Sequence, residues 1–464
     1  MSATTTSTLR YASTRGDAPQ LDFADTMLTG LAPDGGLYVP LRFPSLPDLE
    51  GTETYAEVAS AVMWPFLEGT IERDVFDGIV RDAYATFDHP DVCPLVRLDE
   101  RRWLLELFHG PTIAFKDVAL QLVGRLFDHF LQERGRRATI LVATSGDTGS
   151  AAMAATVGRD ALDCVVLFPD GGRVSEVQRR QMTTIDAPNV HAVAATGSFD
   201  DCQDIVKGAF ADRVFRDEVQ LSAMNSINWG RVMAQVVYYV TAARAVRAET
   251  GAAPVFSVPT GNFGNVLAGW VAQRMGLDVA GFVVASNRND ILARWLESGA
   301  ITAEPVVPTI SPSMDIQVSS NLERLLFDLL DRDGRATAEL LSEFRATGHV
   351  DAPRPSGWWG ARVDDDETRQ VIAEHQRRAG VLLDPHTAVG VGAVDRVEGL
   401  PDAPVVCLAT AHPAKFPDAV ESATGIRPPL PAHYADLYER EERVEAVVAE
   451  LPAVQALVRR LVQR

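Results

Sequence analysis

Of the 43 lysines and arginines in this chain only three are lysine: Lys116, Lys207 and Lys415. Arginine stays protonated in a protein, so a position that must supply a neutral primary amine needs lysine. Lys116 stands in HGPTIAFKD, His109 to Asp117, where a Gly-Pro turn and a short apolar segment lead to a lysine immediately ahead of a helix. Apolar surroundings lower a lysine's pKa toward the range where its free amine forms an imine or removes a proton. The alternative, a lysine reaching solvent from a helix start, sets a cation against the helix dipole.

Two further clusters offer anion sites. TGNFGN, Thr260 to Asn265, follows the strand-like PVFSV and precedes a helical stretch, Val266 to Met275. Two glycines separated by two residues at such a turn let backbone N–H groups converge on an anion, and a cofactor phosphate fits there. A tight turn with packing glycines would read the same way. No lysine follows the second glycine and the G-x-G-x-x-G spacing is absent, so neither a P-loop nor a dinucleotide turn is indicated. TSGDTGS, Thr144 to Ser150, also joins a strand to a helix, and the hydroxyls of Thr144, Ser145 and Thr148 with nearby N–H groups suit a carboxylate. Asn225 and Arg231, where a strand-like LSAMNS run meets a helix, make either a phosphate clamp or an ordinary turn with a surface arginine. One amine and two anion cups are the inventory needed for a phosphorylated aldehyde cofactor holding an amino acid.

These groups need a scaffold, and β-branched runs alternate with amphipathic stretches from about residue 138. The runs ATILVAT (138–144), DCVVLFP (163–169), NVHAVAA (189–195), PVFSVPT (254–260), GFVVAS (281–286) and PVVCLAT (404–410) predict a mostly parallel sheet covered on both faces. Val118, Leu122, Leu126 and Phe130 recur every four positions, predicting a helix from Asp117 to about Glu133. Another is predicted from Trp229 to about Val246, and Ser175 with Gln178 forms a capping-box pattern opening a third. We expect a separate lead-in domain over 1–95, a catalytic region of two α/β subdomains over 96–430, and a C-terminal helical element over 431–464. Segment 331–366, rich in Gly, Pro and Asp, is expected to be an insertion or a mobile surface region.

The formal charge is −20, which would repel a phosphate backbone and argues against nucleic-acid binding. Any anionic ligand must then be held by local groups. The four cysteines, Cys93, Cys164, Cys202 and Cys407, are scattered without a CxxC pair, so neither a disulfide framework nor a metal site is suggested. The Ser/Thr-rich start carries no signal-peptide block, and no apolar run reaches the roughly 18 residues of a membrane span, so a cytoplasmic protein without membrane contact is expected.

Longer blocks carry more information than single motifs. HGPTIAFKD, ATSGDTGSAA, FDDCQDIVKGAF, NSINWGRVMAQVVYY, PTGNFGNVLAGWVAQRMGL, SPSMDIQVSSNLERLL, DPHTAVG and LATAHPAKFPD follow one another along the chain, after an opening STRG and GLAPDGGLYVP. Together they resemble the signature blocks of threonine synthase, in the branch with a long N-terminal region. The resemblance runs from about Tyr11 to about Pro431 and is weakest over 331–366.

The resemblance implies the pyridoxal-phosphate (PLP) fold type II of tryptophan synthase β and the serine and threonine dehydratases: two three-layer α/β domains with mostly parallel sheets, the cofactor in the cleft between them, and an N-terminal lead-in domain. It implies that Lys116 is the Schiff-base and catalytic lysine, that Gly261, Asn262, Phe263, Gly264 and Asn265 hold the cofactor phosphate, and that Thr410 faces the pyridine nitrogen. Asp147 stands where the wider fold type places an amide near the cofactor's phenolic oxygen, although threonine synthases of this branch commonly read SGDTG. Asn225, Ser226 and Arg231 match the segment that grips the substrate phosphate. Lys207 and Lys415 are expected to be structural. The implied activity is a lyase converting O-phospho-L-homoserine and water to L-threonine and phosphate, the last step of threonine biosynthesis, in a monomer or homodimer. A dehydratase or phospholyase that releases the oxo-acid, or a synthase using another phosphorylated amino acid, is the runner-up. A non-catalytic amino-acid-binding homologue is a third reading, against which the retained Lys116 speaks.

Overall fold

The computed structural model describes residues 8–171 and 174–462, so the Ser/Thr-rich start up to residue 7 lies outside the described residues. Near the N-terminus β1 (Tyr11–Ser13) and β2 (Tyr38–Pro40) form an antiparallel pair. The chain then lays down β3 (Leu95–Arg97) and β4 (Arg102–Glu106) and leaves to build β5 (Ala138–Ala143), β6 (Leu162–Pro169), β7 (Val190–Thr196) and β8 (Leu221–Ser222). It returns for β9 (Val255–Pro259) and β10 (Gly281–Ser286) and makes a small antiparallel pair, β11 (Ala300–Thr302) with β12 (His349–Asp351). Strands β13 (Trp358–Arg362), β14 (Val405–Ala409) and β15 (Val444–Val448) complete the set.

Two sheets organise the molecule. The larger has the order β13-β10-β9-β14-β4-β3, parallel except for the antiparallel edge β3; the smaller has the order β15-β7-β6-β5-β8 and is parallel throughout. The central strands are apolar on both faces, with all eight residues of β6 buried, because helices cover both sides of a parallel sheet. The helix Trp229–Thr250 is buried throughout its first part, Trp229 to Val240, and packs against the helices Lys116–Glu133, Gly264–Arg274 and Tyr55–Leu67.

This topology gathers the motifs. In the larger sheet β9, β14 and β4 are adjacent and parallel, and their C-terminal ends lead into TGNFGN, Thr410 and HGPTIAFKD respectively. In the smaller sheet β5 and β8 are adjacent and parallel, and their ends lead into TSGDTGS and NSINWGR. Ligands of parallel α/β sheets bind at the carboxyl ends of strands.

Two expectations change. The segment 331–366, expected to be an insertion or a mobile surface region, is built largely of regular elements: it holds the helix Gly334–Thr347, β12, and β13, which pairs with β10 and buries Trp358. The segment from 431 is not wholly helical, since β15 adds a parallel edge to β7 before the helix Leu451–Val462. In β15 exposed Val444, Val448 and Ala446 alternate with less exposed residues, and the acidic run before it masks this short period-two pattern.

Candidate active site

Lys116 is the first residue of the helix Lys116–Glu133, and its Nζ lies 3.1 Å from Asp147 Oδ2 and 4.7 Å from the centre of the Phe115 ring. Phe115 N–H donates to the carbonyl of Thr410, and Ala114 and Ala411 form an antiparallel bridge. Backbone pairing thus fixes Thr410 beside the lysine loop. The lysine is buried, and that burial lowers its pKa; Asp147 opposes the shift, while the cations of Lys415 and Arg231 add to it.

Asp147 opens the helix Asp147–Thr156 directly after β5, and its side chain is 6% exposed. Its Oδ1 accepts from Gln178 Nε2 at 2.7 Å and lies 3.2 Å from Lys415 Nζ, while Oδ2 also accepts from Ser313 Oγ at 3.3 Å. Burial alone would raise its pKa, but the Lys116 and Lys415 ammonium groups, with His386 and Gln178, hold this carboxyl well below the usual carboxylate range. Asp147 is therefore a carboxylate turned toward cationic and N–H donors. That is how a negative charge is tolerated in so buried a position.

The other residues of TSGDTGS divide by task. Thr144 Oγ1 accepts from the N–H groups of Gly146 (3.0 Å) and Gly149 (2.9 Å), so its oxygen braces its own loop. Ser145 and Thr148 flank Asp147, both half-buried.

TGNFGN forms a cup of unused donors. Among the described residues, the N–H groups of Gly261, Asn262, Phe263, Gly264 and Asn265 donate to no carbonyl or side chain. Phe263 takes φ of 66°, in the left-handed region, while its buried side chain stacks on Trp358, so only its backbone is available to a ligand. Asn265 Oδ1 accepts from the hydroxyls of Tyr238 and Tyr239, and its buried Nδ2 has no partner. A Cβ on Gly261 would stand 2.5 Å from the carbonyl oxygen of Ser313, which backbone cannot relieve, whereas one on Gly264 would meet Asn321 Nδ2 at 3.3 Å. Glycine is thus more strictly required at 261.

Arg231 is buried, against the expectation of a surface residue in the simpler reading. One Nη donates to Met224 O at 3.3 Å, its buried Nε has no partner, and burial pulls its pKa down to about 10. Asn225 is exposed and accepts from Ile227 N–H, forming the turn ahead of the Trp229 helix, and the half-buried Ser226 offers its carbonyl to Asn321 Nδ2 at 3.0 Å. The same Nδ2 donates to Asn262 O at 3.2 Å, so Asn321 ties the NSINWGR segment to the TGNFGN cup.

These observations fit a phosphorylated aldehyde carrying an amino acid. The unpaired groups are donors: five amides, Asn265 Nδ2 and Arg231 Nε. The buried cations Lys116 and Lys415 share Asp147, Lys415 also faces the buried Asp117, and Arg231 acts on Lys116.

Sequence reading missed several members. Gln178 and Ser313 bind Asp147; His386 Nε2 accepts from Ser313 N–H while its Nδ1 contacts Asp384 Oδ2 at 2.7 Å. Lys415, expected to be structural, sits within this cluster with its side chain fully buried. The scarcity of lysine was the available signal for it. Lys207 remains outside, exposed and paired with Asp204.

Comparison with known proteins agrees along the whole chain. Residues 10–84 match the family model "Threonine synthase N terminus", residues 92–411 match "Pyridoxal-phosphate dependent enzyme", and residues 387–458 match "Threonine synthase, C-terminal". Threonine synthase from Pseudomonas aeruginosa is 51% identical over 97% of this chain and 98% of its own length. The structure of PLP-bound threonine synthase from Brucella melitensis superposes with a TM-score of 0.95 at 49% identity, covering 98% of this chain and 100% of that one. The yeast threonine synthase structure gives a TM-score of 0.92 at 34% identity over 98% of this chain and 99% of that one.

Proposed function

This chain belongs to the threonine synthase family of PLP-dependent lyases, and from that premise we propose that it converts O-phospho-L-homoserine and water to L-threonine and phosphate, with Lys116 as its catalytic lysine. The observation that carries the residue assignment is the buried Lys116 amine, 3.1 Å from an ionised Asp147, in the cluster that also contains the unsatisfied donors of the TGNFGN cup and Arg231.

PLP, when bound, draws electron density from the substrate's Cα and makes the proton there removable. Lys116 Nζ would hold the cofactor, and its amine is the base placed to take the Cα proton and to return one there, tasks that its lowered pKa supports. The amides of Gly261 to Asn265 would hold the cofactor phosphate, and the Thr410 hydroxyl would meet the pyridine nitrogen without protonating it. Asp147 orients the Lys116 amine. Ser145 and Thr148, on the turn braced by Thr144, would take the substrate carboxylate. Arg231, with Asn225 and Ser226, would bind the substrate phosphate and answer the charge that collects on it as it leaves. The same proposal includes the division into 1–95, 96–430 and 431–464, cytoplasmic residence, and a monomeric or homodimeric state. No helix among the described residues is long and apolar enough to cross a membrane.

Incubation of the holoenzyme with O-phosphohomoserine, with products measured together, tests the activity. Equal amounts of phosphate and threonine are expected. Phosphate with 2-oxobutyrate and no threonine would overturn it in favour of a phospholyase.

A further inference from the structure

Lys415 has no part in the assignments above. Its side chain is wholly buried, with Nζ 2.7 Å from the carbonyl of Thr112 and 3.2 Å from Asp147 Oδ1, while Asp147's other oxygen lies 3.1 Å from Lys116 Nζ. It also reaches Asp147 by a second route. The Lys415 carbonyl accepts from Ser175 Oγ, the N-cap of the helix whose Gln178 donates to Asp147 Oδ1. Asp147 thus faces a buried ammonium group on each of its oxygens, with the buried Asp117 as a second carboxylate near Lys415. The arrangement serves a carboxylate whose first partner must be given up during the reaction.

Resting on the assignment of Lys116 as the cofactor lysine, we propose that Lys415 is a positioning residue: its ammonium group keeps the Asp147 carboxylate ionised and oriented, so that Lys116 can release its proton and commit its amine without stranding a buried negative charge. The groups facing this pair are Lys116, His386, Gln178 and Ser313 around Asp147, and Asp117, held by Thr112, near Lys415; Arg231 acts on Lys116 from the Trp229 helix. Both effects of removing Lys415 then have the same sign. Lys116 loses a neighbouring cation and keeps the whole attraction of Asp147, so its proton is held more tightly.

The test uses the full-length apoenzyme and the pH dependence of its rate of capturing added PLP, which requires the uncharged Lys116 amine. Lys415→Met is expected to move the midpoint up by about one pH unit. In an Asp147→Asn background the same substitution is expected to move it by less than about half as much, because the two residues act through each other. An unchanged midpoint in Lys415→Met, or equal shifts in both backgrounds, would make Lys415 structural and overturn the proposal. Where Lys415→Met folds poorly, Lys415→Gln, which keeps a donor for the Thr112 carbonyl and removes the charge, is expected to give the same upward shift of the midpoint. An unchanged midpoint in a folded Lys415→Gln protein would also overturn it. Borohydride labelling of the wild-type holoenzyme tests the underlying assignment separately, since a label away from Lys116 would sink that assignment whatever Lys415 does.

Discussion

At the scale of single residues, the chemistry depends on one amine and one guanidinium in buried surroundings. Lys116→Arg keeps the cation and removes the nucleophilic amine, so the variant should fold, show none of the visible absorbance of a lysine-bound cofactor, and lose turnover by several orders of magnitude. More than a few per cent of residual activity would contradict the assignment. Arg231→Gln should leave cofactor content and spectrum intact while lowering kcat/KM for O-phosphohomoserine by at least ~100-fold, the loss of a desolvated charge-assisted clamp. Equal loss for a substrate analogue lacking the phosphate would make Arg231 structural. Asp147 supplies a pH test. Its folded pKa lies below its unfolded value, so its stabilising contribution is full above about pH 4 and is lost as pH falls toward the depressed folded value. Asp147→Asn should therefore flatten the fall in unfolding temperature across that acid range, and an unchanged slope would remove Asp147 from the charged cluster.

At the scale of elements, the turn after β9 makes the firmest demand. Gly261→Ala places a methyl group against the Ser313 carbonyl, whose residue also binds Asp147, so the substitution should both weaken cofactor retention on dialysis and disturb the Lys116–Asp147 pair. Full retention would show that the cup lies elsewhere. Much of this level was legible. The runs predicted at 138–144, 254–260 and 404–410 are β5, β9 and β14 to within a residue at each end, because buried parallel strands are continuous apolar runs. The capping box at Ser175 also forms, with Gln178 closing it and then bonding Asp147. Strands β13 and β15 were illegible because edge strands need only one face packed, and Gly, Trp and acidic residues obscure their alternation.

At the scale of the whole molecule, Lys116, Asp147, Arg231, Gly261 and Thr410 are spread along the sequence from residue 116 to residue 410, and only sheet order brings them together. Sequence spacing showed each motif at a strand end but not that β4, β14 and β9 are neighbours in one sheet, or that β5 and β8 are in the other. That is why Asn321 escaped notice and Lys415 was expected to be structural: their partners, Asp147, Thr112, Ser226 and Asn262, are set by tertiary packing alone. With three lysines in the chain, the central claim can be tested directly. The PLP-loaded protein is reduced with borohydride, digested, and the pyridoxyl group located by mass spectrometry. The account predicts a single label on Lys116, with Lys207 and Lys415 unmodified; a label on Lys415, or none on any lysine, would contradict it.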